Sequence, residues 1–381
     1  MREDRPLVPT HPPANLLDPL LAPNGDERGF GAAVDRLIQP ELDAAIRAIE
    51  GDAAGETEAP LLALMARYHL GWCDSSGEPT SPAVRRSAQG KRLRPALAVL
   101  CTAATGGQMH AAAPLAAAIE LLHNFTLIHD DIQDRSPNRR HRATVWRVWG
   151  DGQAINAGDA LFAAATLSLF RLADHDVPAA TVLRLANAFE RMTLDIVRGQ
   201  VRDLRFEGRG DVTPDDYLAM IRGKTAAILR FAAWAGAVIA HADDEVAVRF
   251  GEFGEALGLG FQLRDDMLGI WGTHDATGKG AADDIRRRKQ SLPILLLRQA
   301  ADDAERARLA ELYAESEIAD DGIAEILGIL QRHDIEAQVA GQVAAMHDRA
   351  AAALRIALDE AENDAASGLK ALVARLSVRE G

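Results

Sequence analysis

Cysteine is nearly absent: Cys73 and Cys101 are the only two in 381 residues, and they form no CxxC pair. A disulfide scaffold and a thiolate zinc site are both disfavoured, and a cytoplasmic, reducing compartment is expected. Long apolar runs are missing as well. None approaches the ~20 residues of a membrane span, so no transmembrane segment is expected. The opening Met1-Arg2-Glu3-Asp4-Arg5-Pro6 lacks the apolar core of a signal peptide. Positive charge is in deficit, with 42 Lys+Arg against 56 Asp+Glu and a net charge of −14. General nucleic-acid binding needs a basic surface and is not expected, although a local cationic pocket can still take an anionic substrate. Alternating β-branched runs are scarce, no repeat recurs at a fixed period, and no Ser/His/Asp or Cys/His constellation offers a protein nucleophile.

What is present is helical. The 48% hydrophobic share is too high for a disordered chain. Residues 1–30 stand apart, with Pro at 6, 9, 12, 13, 19 and 23 and no periodicity. They read as a flexible tail, with Leu16–Leu21 as an apolar island that either lies on the body or docks a partner. From 31 to 381 alanine, leucine, glutamate and arginine dominate, all good helix formers. Pro/Gly/Asp/Ser clusters punctuate the run without a second linker, so one large all-α domain is expected.

The richest stretch is Glu120 to Asp134. Leu121, Phe125, Ile128 and Ile132 form one stripe at helical spacing, and His123, Leu127, Asp130 and Asp134 form another. Asp130 and Asp134 therefore lie one turn apart on one face, where like charges repel by about a few tenths of a kcal/mol. The dipole at a helix C-terminus opposes them too. A divalent cation such as Mg²⁺ is a reason for the pairing, and a solvated acidic helix end is another. Arg135 and Arg139 to Arg142 follow directly. Such a cluster suits surface ion pairing or a metal–diphosphate site.

A second acidic pair, Asp265-Asp266, follows Gly260-Phe261-Gln262. After it come Thr277-Gly278-Lys279, which is not a P-loop, and Asp283 to Lys289. Lys224-Thr225 is a further cationic point. Singly, each lysine reads first as a solvated surface charge. Upstream, Lys91, Arg92 and Arg94 crowd the start of an apolar helix, against its dipole. Anion binding accounts for them, as does a basic surface turn.

Taken together, these residues resemble the trans-prenyl diphosphate synthases of the polyprenyl synthetase family. The resemblance covers roughly 85–375. It rests on Asp130-Asp131-Ile132-Gln133-Asp134 with Arg139-Arg140, on Phe261-Gln262 before Asp265-Asp266, and on Gly90–Pro95, Asn156–Asp159, Gly199-Gln200 with Asp203, Lys224-Thr225, and Lys289 with Leu292-Pro293. It implies an all-α isoprenoid synthase fold around a central apolar cavity, and a homodimer. The implied reaction is Mg²⁺-dependent condensation of isopentenyl diphosphate onto an allylic diphosphate. By the same resemblance Asp130, Asp134 and Asp265 ligate Mg²⁺. Arg139, Lys224 and Lys279 hold the allylic diphosphate, and Lys91, Arg94, His123 and Arg140 hold isopentenyl diphosphate, with Lys289 adding to that side. Thr225 and Gln262 face the developing carbocation.

Two departures stand out. Gly269 occupies the place of the second motif's third aspartate, and His141 occupies that of a glycine after Arg139-Arg140. The family often places its length-limiting aromatic five residues before the first motif, which is Phe125 here. A C20 product, geranylgeranyl diphosphate, is expected, with C15 farnesyl diphosphate second. A helical wheel puts Phe125 about 140° from Asp130, which by pattern alone makes it ordinary core. Two rival functions stay open: a class I terpene cyclase, and a catalytically weak partner subunit of an active synthase.

Overall fold

The computed structural model describes residues 27–51, 59–272, 282–315, 318–359 and 363–378. The expected tail, with Leu16–Leu21, falls outside them as far as Asp26. The described chain is all-α, apart from one two-residue hairpin and an isolated bridge. Its contacts cluster into two compact units, one drawn from the described residues of 27–187, 235–244 and 363–369, the other from those of 188–234, 245–359 and 370–378.

The first unit contains α1 (Glu27–Glu50), α2 (Ala59–His69), α3 (Pro82–Gln89), α4 (Leu93–Ala104) and α5 (Ala113–Gln133). The hairpin β1 (Asn138–Arg139) and β2 (Arg142–Ala143), α6 (Val145–Trp149) and α7 (Asp151–Phe170) follow. Pro114 starts α5, where a missing N–H costs nothing. From Ala113 to Leu122 every residue of α5 is buried, so this half is a core helix rather than an amphipathic one. Its partner α7 buries Ala154, Ala157, Gly158, Leu161, Ala164 and Ala165, a mostly small-residue face at helical spacing that lets the two backbones approach.

Met109–Gln133 is long and apolar enough to cross a membrane by length and composition, although no uninterrupted apolar run of that length occurs in the sequence. Within it, 72% of the apolar window is buried inside the protein, as befits a core helix.

The second unit contains α9 (Pro214–Ile221), α11 (Asp244–Trp271), α12 (Asp283–Arg286), α13 (Leu292–Ala300), α14 (Asp303–Ala314), α15 (Asp320–Arg332) and α16 (Ile335–Leu358). It also holds most of α8 (Ala179–Phe206), α10 (Ala227–Ile239) and α17 (Asp364–Val378). A π-helical turn, Arg222–Ala226, interrupts the passage from α9 to α10. Capping boxes at Thr213/Asp216 and Asp302/Glu305 start α9 and α14, satisfying N–H groups that each helix leaves open. The core of this unit runs through Tyr217, Leu259, Leu263, Ile285, Leu292, Leu295, Ile326 and Leu330.

Candidate active site

In the first unit, α5 changes character at its C-terminal end. Leu121 and Ile128 are buried, as the apolar stripe predicts, while Phe125 and Ile132 are half-buried. On the other face His123, Leu127 and Asp130 are half-buried, and Asp134 is exposed and caps the helix. The amide of Asp134 donates to the carbonyl of Asp130 at 2.8 Å, so the two are one turn apart, as read from the sequence. The aspartate between them behaves differently. Asp131 is only 2% exposed and receives Arg139 in a fork, with Nε at 2.9 and 3.0 Å and Nη2 at 2.8 Å. Burial raises the Asp131 pKa, against the pull of Arg139. The motif thus divides its labour: Asp131 anchors the hairpin arginine, and Asp130 and Asp134 keep the outward face.

The hairpin pairs Asn138 with Ala143 and Arg139 with Arg142. Its two loop residues, Arg140 and His141, both have positive φ (50° and 63°), as a type I′ turn requires. His141 therefore adopts a conformation that the family's glycine takes without strain. Arg142 ties the hairpin to α2, donating to the carbonyls of Tyr68 at 2.7 Å and Cys73 at 2.8 Å and stacking over the Tyr68 ring. Arg140 donates to the carbonyl of Ala88 and crosses Gly90, where a Cβ would come within 2.7 Å of its guanidinium.

Beside these arginines, Arg94 Nη1 lies 3.3 Å from His123 Nε2. Burial, and then the guanidiniums of Arg94, Arg140 and Arg139, hold the His123 pKa well below that of a free imidazole. The ring is neutral, so Nε2 accepts from Arg94 and the proton sits on Nδ1. His69, which sequence reading missed, meets the same fate. Burial and the charges of Arg139, Arg140 and Arg142 push it down to about 3. His69, Tyr68, Leu127, Asp131, Arg139, Arg140 and Arg142 line a cavity of about 30 Å³. Two neutral histidines among four guanidiniums leave a cationic surplus that Asp131 offsets only in part. Such a surface is suited to an anion with several oxygens.

Lys91 is exposed in the turn before α4. Arg92 corrects the sequence reading. It is not an anion-binding cation but a core residue, 4% exposed, bonded to Asp35 at 2.5 Å and to the buried Glu120.

The second unit gathers Lys224, Thr225, Gln262, Asp265 and Lys289. Lys224 and Thr225 lie in the π turn, a distortion often found at functional sites. Gly199 makes room for it, since a Cβ there would sit 2.3 Å from the Lys224 amide nitrogen. One turn along α8, Asp203 takes the Lys224 ammonium at 2.6 Å. These two contacts explain why Gly199 and Asp203 accompany Lys224 in sequence.

Thr225 Oγ1 donates to Gln262 Oε1 at 2.9 Å, and Gln262 Nε2 donates to Asp266 at 3.1 Å. The Asp pair divides as the first motif does, with Asp265 exposed and Asp266 2% exposed. Burial pushes Asp266 up to about 7, against hydrogen bonds from Tyr217 and Gln262 and the charge of Lys289. Lys289 stands 3.7 Å from Asp284. Its side chain is half exposed, and the charges of Asp284, Asp266 and Asp203 raise its pKa. At Gly269 a Cβ would strike the Asp284 carboxylate, which is itself buried. Lys279 lies outside the described residues.

The fold matches solved structures along nearly its whole length. A polyprenyl synthetase from Streptomyces coelicolor A3(2) superposes with a TM-score of 0.81 and 33% identity, covering 93% of this chain and 100% of that one. A geranylgeranyl pyrophosphate synthetase from Pyrococcus horikoshii gives a TM-score of 0.76 at 28% identity, covering 91% and 98%. The architecture is therefore the all-α isoprenoid synthase fold.

The profile of the polyprenyl synthetase family matches residues 81–330. The chain belongs to the polyprenyl synthetase family, a family of prenyltransferases. Among characterised relatives, a geranylgeranyl diphosphate synthase of Mycobacterium tuberculosis is 43% identical over 252 residues, covering 66% of this chain and 69% of that protein. A (2E,6E)-farnesyl diphosphate synthase of Mycobacterium bovis is 42% identical over 235 residues, covering 62% of this chain and 63% of that protein. The chain thus spans just under two thirds of the second relative's length.

Proposed function

We propose that this protein condenses isopentenyl diphosphate head-to-tail with an allylic diphosphate to give a short all-trans prenyl diphosphate. The observation that carries the reading is the end of α5, where Asp130 and Asp134 share one face while Asp131 holds Arg139 beside Arg94, Arg140 and His123. Carboxylates for a metal and guanidiniums for phosphate oxygens stand in one compact unit.

The donor set fits Mg²⁺. It is oxygen only, and one or two carboxylates completed by phosphates and waters suit that ion. Asp130 and Asp134 would ligate Mg²⁺, as would Asp265. When bound, the ion supplies Lewis-acid stabilisation of the charge that builds on the departing diphosphate.

The chain's own residues do the rest. Arg139, Lys224 and Lys279 bind the allylic diphosphate and orient its C–O bond. Lys91, Arg94, Arg140 and the neutral His123 bind isopentenyl diphosphate, with Lys289 adding charge. The Thr225 and Gln262 oxygens face the allylic cation as it forms. The isopentenyl double bond attacks that cation, and the released diphosphate takes the proton. No protein nucleophile is needed.

The C20 product is favoured over C15, with Phe125 limiting the chain. The working state is a homodimer in the cytoplasm. On α8 Leu194, Val197 and Val201 are 53%, 45% and 50% exposed at i, i+3 and i+7, a stripe suited to the same helix of a second copy.

Incubation of the purified protein with Mg²⁺, isopentenyl diphosphate and each allylic primer, read by mass spectrometry, tests the reading. Elongated diphosphates support it. A hydrocarbon or alcohol from primer alone points to a terpene cyclase, and no turnover points to a partner subunit. Light scattering of the same sample tests the dimer.

A further inference from the structure

Three hydrogen bonds in the second unit converge in one direction. Thr225 Oγ1 donates to Gln262 Oε1 at 2.9 Å, Gln262 Nε2 donates to Asp266 Oδ1 at 3.1 Å, and Tyr217 Oη donates to Asp266 Oδ2 at 2.5 Å. Gln262 and Asp266 are one turn apart on α11, Tyr217 lies on α9, and Thr225 lies in the π turn. Tyr217 and Asp266 are 4% and 2% exposed, so no solvent competes for the bond between them.

The direction of the chain has a consequence. A glutamine amide fits its site in two orientations that differ only in which end donates. With Asp266 as acceptor, the NH₂ end is drawn to the carboxylate, because the carbonyl end there would set two acceptors against each other. The carbonyl is left for Thr225, whose hydroxyl must then donate. Each bond polarises the next, so the Gln262 amide, held by Asp266 at its NH₂ end, presents its carbonyl to the Thr225 hydroxyl. The reverse amide would make Thr225 an acceptor and occupy a lone pair. Tyr217 fixes the second oxygen of Asp266 and so its side-chain angle.

We propose that Tyr217 and Asp266 are positioning residues, which act through the Gln262 amide to hold Thr225 as a donor with its oxygen lone pairs available to the allylic cation. The proposal rests on the role given above to Thr225 and Gln262. The Tyr217 ring belongs to the core of the unit, and its hydroxyl reaches the relay only through Asp266.

The test is a double-mutant cycle on the full chain with Mg²⁺, isopentenyl diphosphate and the preferred primer, comparing Tyr217→Phe, Thr225→Val and the pair. Tyr217→Phe should lower kcat about 3–10-fold, the equivalent of one neutral hydrogen bond. KM for both diphosphates should stay unchanged, and more primer should be lost to water as prenyl alcohol. In the Thr225→Val background the same change should cost nothing further, because the relay no longer has an end to act on. If Tyr217→Phe fails to fold, Asp266→Asn enters the same cycle with the same expectation.

An equal loss in both backgrounds, or a raised KM at constant kcat, overturns the proposal and leaves the proposed function standing. A Thr225→Val enzyme with wild-type kcat overturns the role of Thr225 and this proposal with it. A wild-type protein that elongates no primer overturns the proposed function itself.

Discussion

The carboxylate of Asp284 occupies the space that a side chain at position 269 would fill: a Cβ on Gly269 would lie 2.3 Å from Oδ2 and 2.5 Å from Cγ of Asp284. The family resemblance implies a third aspartate at Gly269, and the side chain that is missing there is matched by a buried carboxylate from α12. Asp284 is 3% exposed and held by Lys289, so it has little freedom to yield. Gly269→Asp should therefore destabilise the fold, by about 1–3 kcal/mol for overpacking before any repulsion between the two carboxylates. Gly269→Asp combined with Asp284→Ala should recover part of that loss. Thermal melts of the two variants check it, and a single variant as stable as the wild type would show that Asp284 moves aside freely.

Asp130→Ala and Asp134→Ala should leave the melting temperature nearly unchanged and abolish Mg²⁺-dependent turnover. The two carboxylates repel each other at a helix C-terminus, so removing one relieves local strain. Losing a metal contact made in the transition state should cost at least ~10³-fold in rate. Near-normal turnover in either folded variant removes the metal assignment.

Arg92 separates a structural cation from a substrate-binding one. It is buried between Asp35 and Glu120, and Arg92→Ala would leave both carboxylates without the guanidinium that neutralises them. A loss of about 3–5 kcal/mol of stability is expected, with KM for isopentenyl diphosphate unchanged in the folded fraction. Arg94→Ala, by contrast, should weaken isopentenyl diphosphate use about 10–150-fold, the equivalent of a charge-assisted hydrogen bond, with the fold intact. Denaturant unfolding and initial rates on both variants decide the matter.

Arg92 also marks the limit of what the sequence discloses. Periodicity exposed the helices, the Asp130/Asp134 face and the buried stripe of α5, because these depend on neighbours three and four residues away. It could not distinguish Arg92 from Arg94, which adjoin the same turn. Their fates depend on Asp35 and Glu120, 57 and 28 residues distant. His69 and Tyr217 were missed for the same reason. Neither belongs to a recognisable motif, and the chemistry of each comes from partners that only the folded chain supplies. Asp131 and Asp266 likewise look identical to their neighbours in sequence and differ from them only in burial.

His69 gives a pH dependence with a definite sign. Its folded pKa is about 3, below the ~6.5 of an unfolded imidazole. Between those values the unfolded chain binds the extra proton, so stability falls as pH falls. The contribution is fully present above pH ~6.5 and is lost as pH drops toward 3. His123 acts in the same direction. His69→Gln should therefore flatten the decline of Tm between pH 6.5 and about 4 without abolishing it. A variant whose Tm falls as steeply as the wild type would place the acid sensitivity elsewhere.

Phe125 bears on product length. A helical wheel sets it about 140° from Asp130, on a different face from the metal carboxylates. In the structure that face turns to α7, and the Phe125 ring meets Phe162 at 5.3 Å and His129 at 4.7 Å, centroid to centroid. Phe125 is therefore one half of an aromatic pair that joins α5 to α7, and both rings are half-buried. If this pair closes the path of the growing chain, removing either ring should open it. Phe125→Ala should shift products by one or more C5 steps toward longer chains, and Phe162→Ala should shift them in the same direction by less. The pair should also contribute packing, so each variant is expected to melt lower, by about 3–5 kcal/mol for a fully buried ring and less for these half-buried ones. Mass spectrometry of products from active, folded variants provides the readout. Longer products from both variants assign the floor to the pair, and unchanged lengths from both make Phe125 and Phe162 ordinary core.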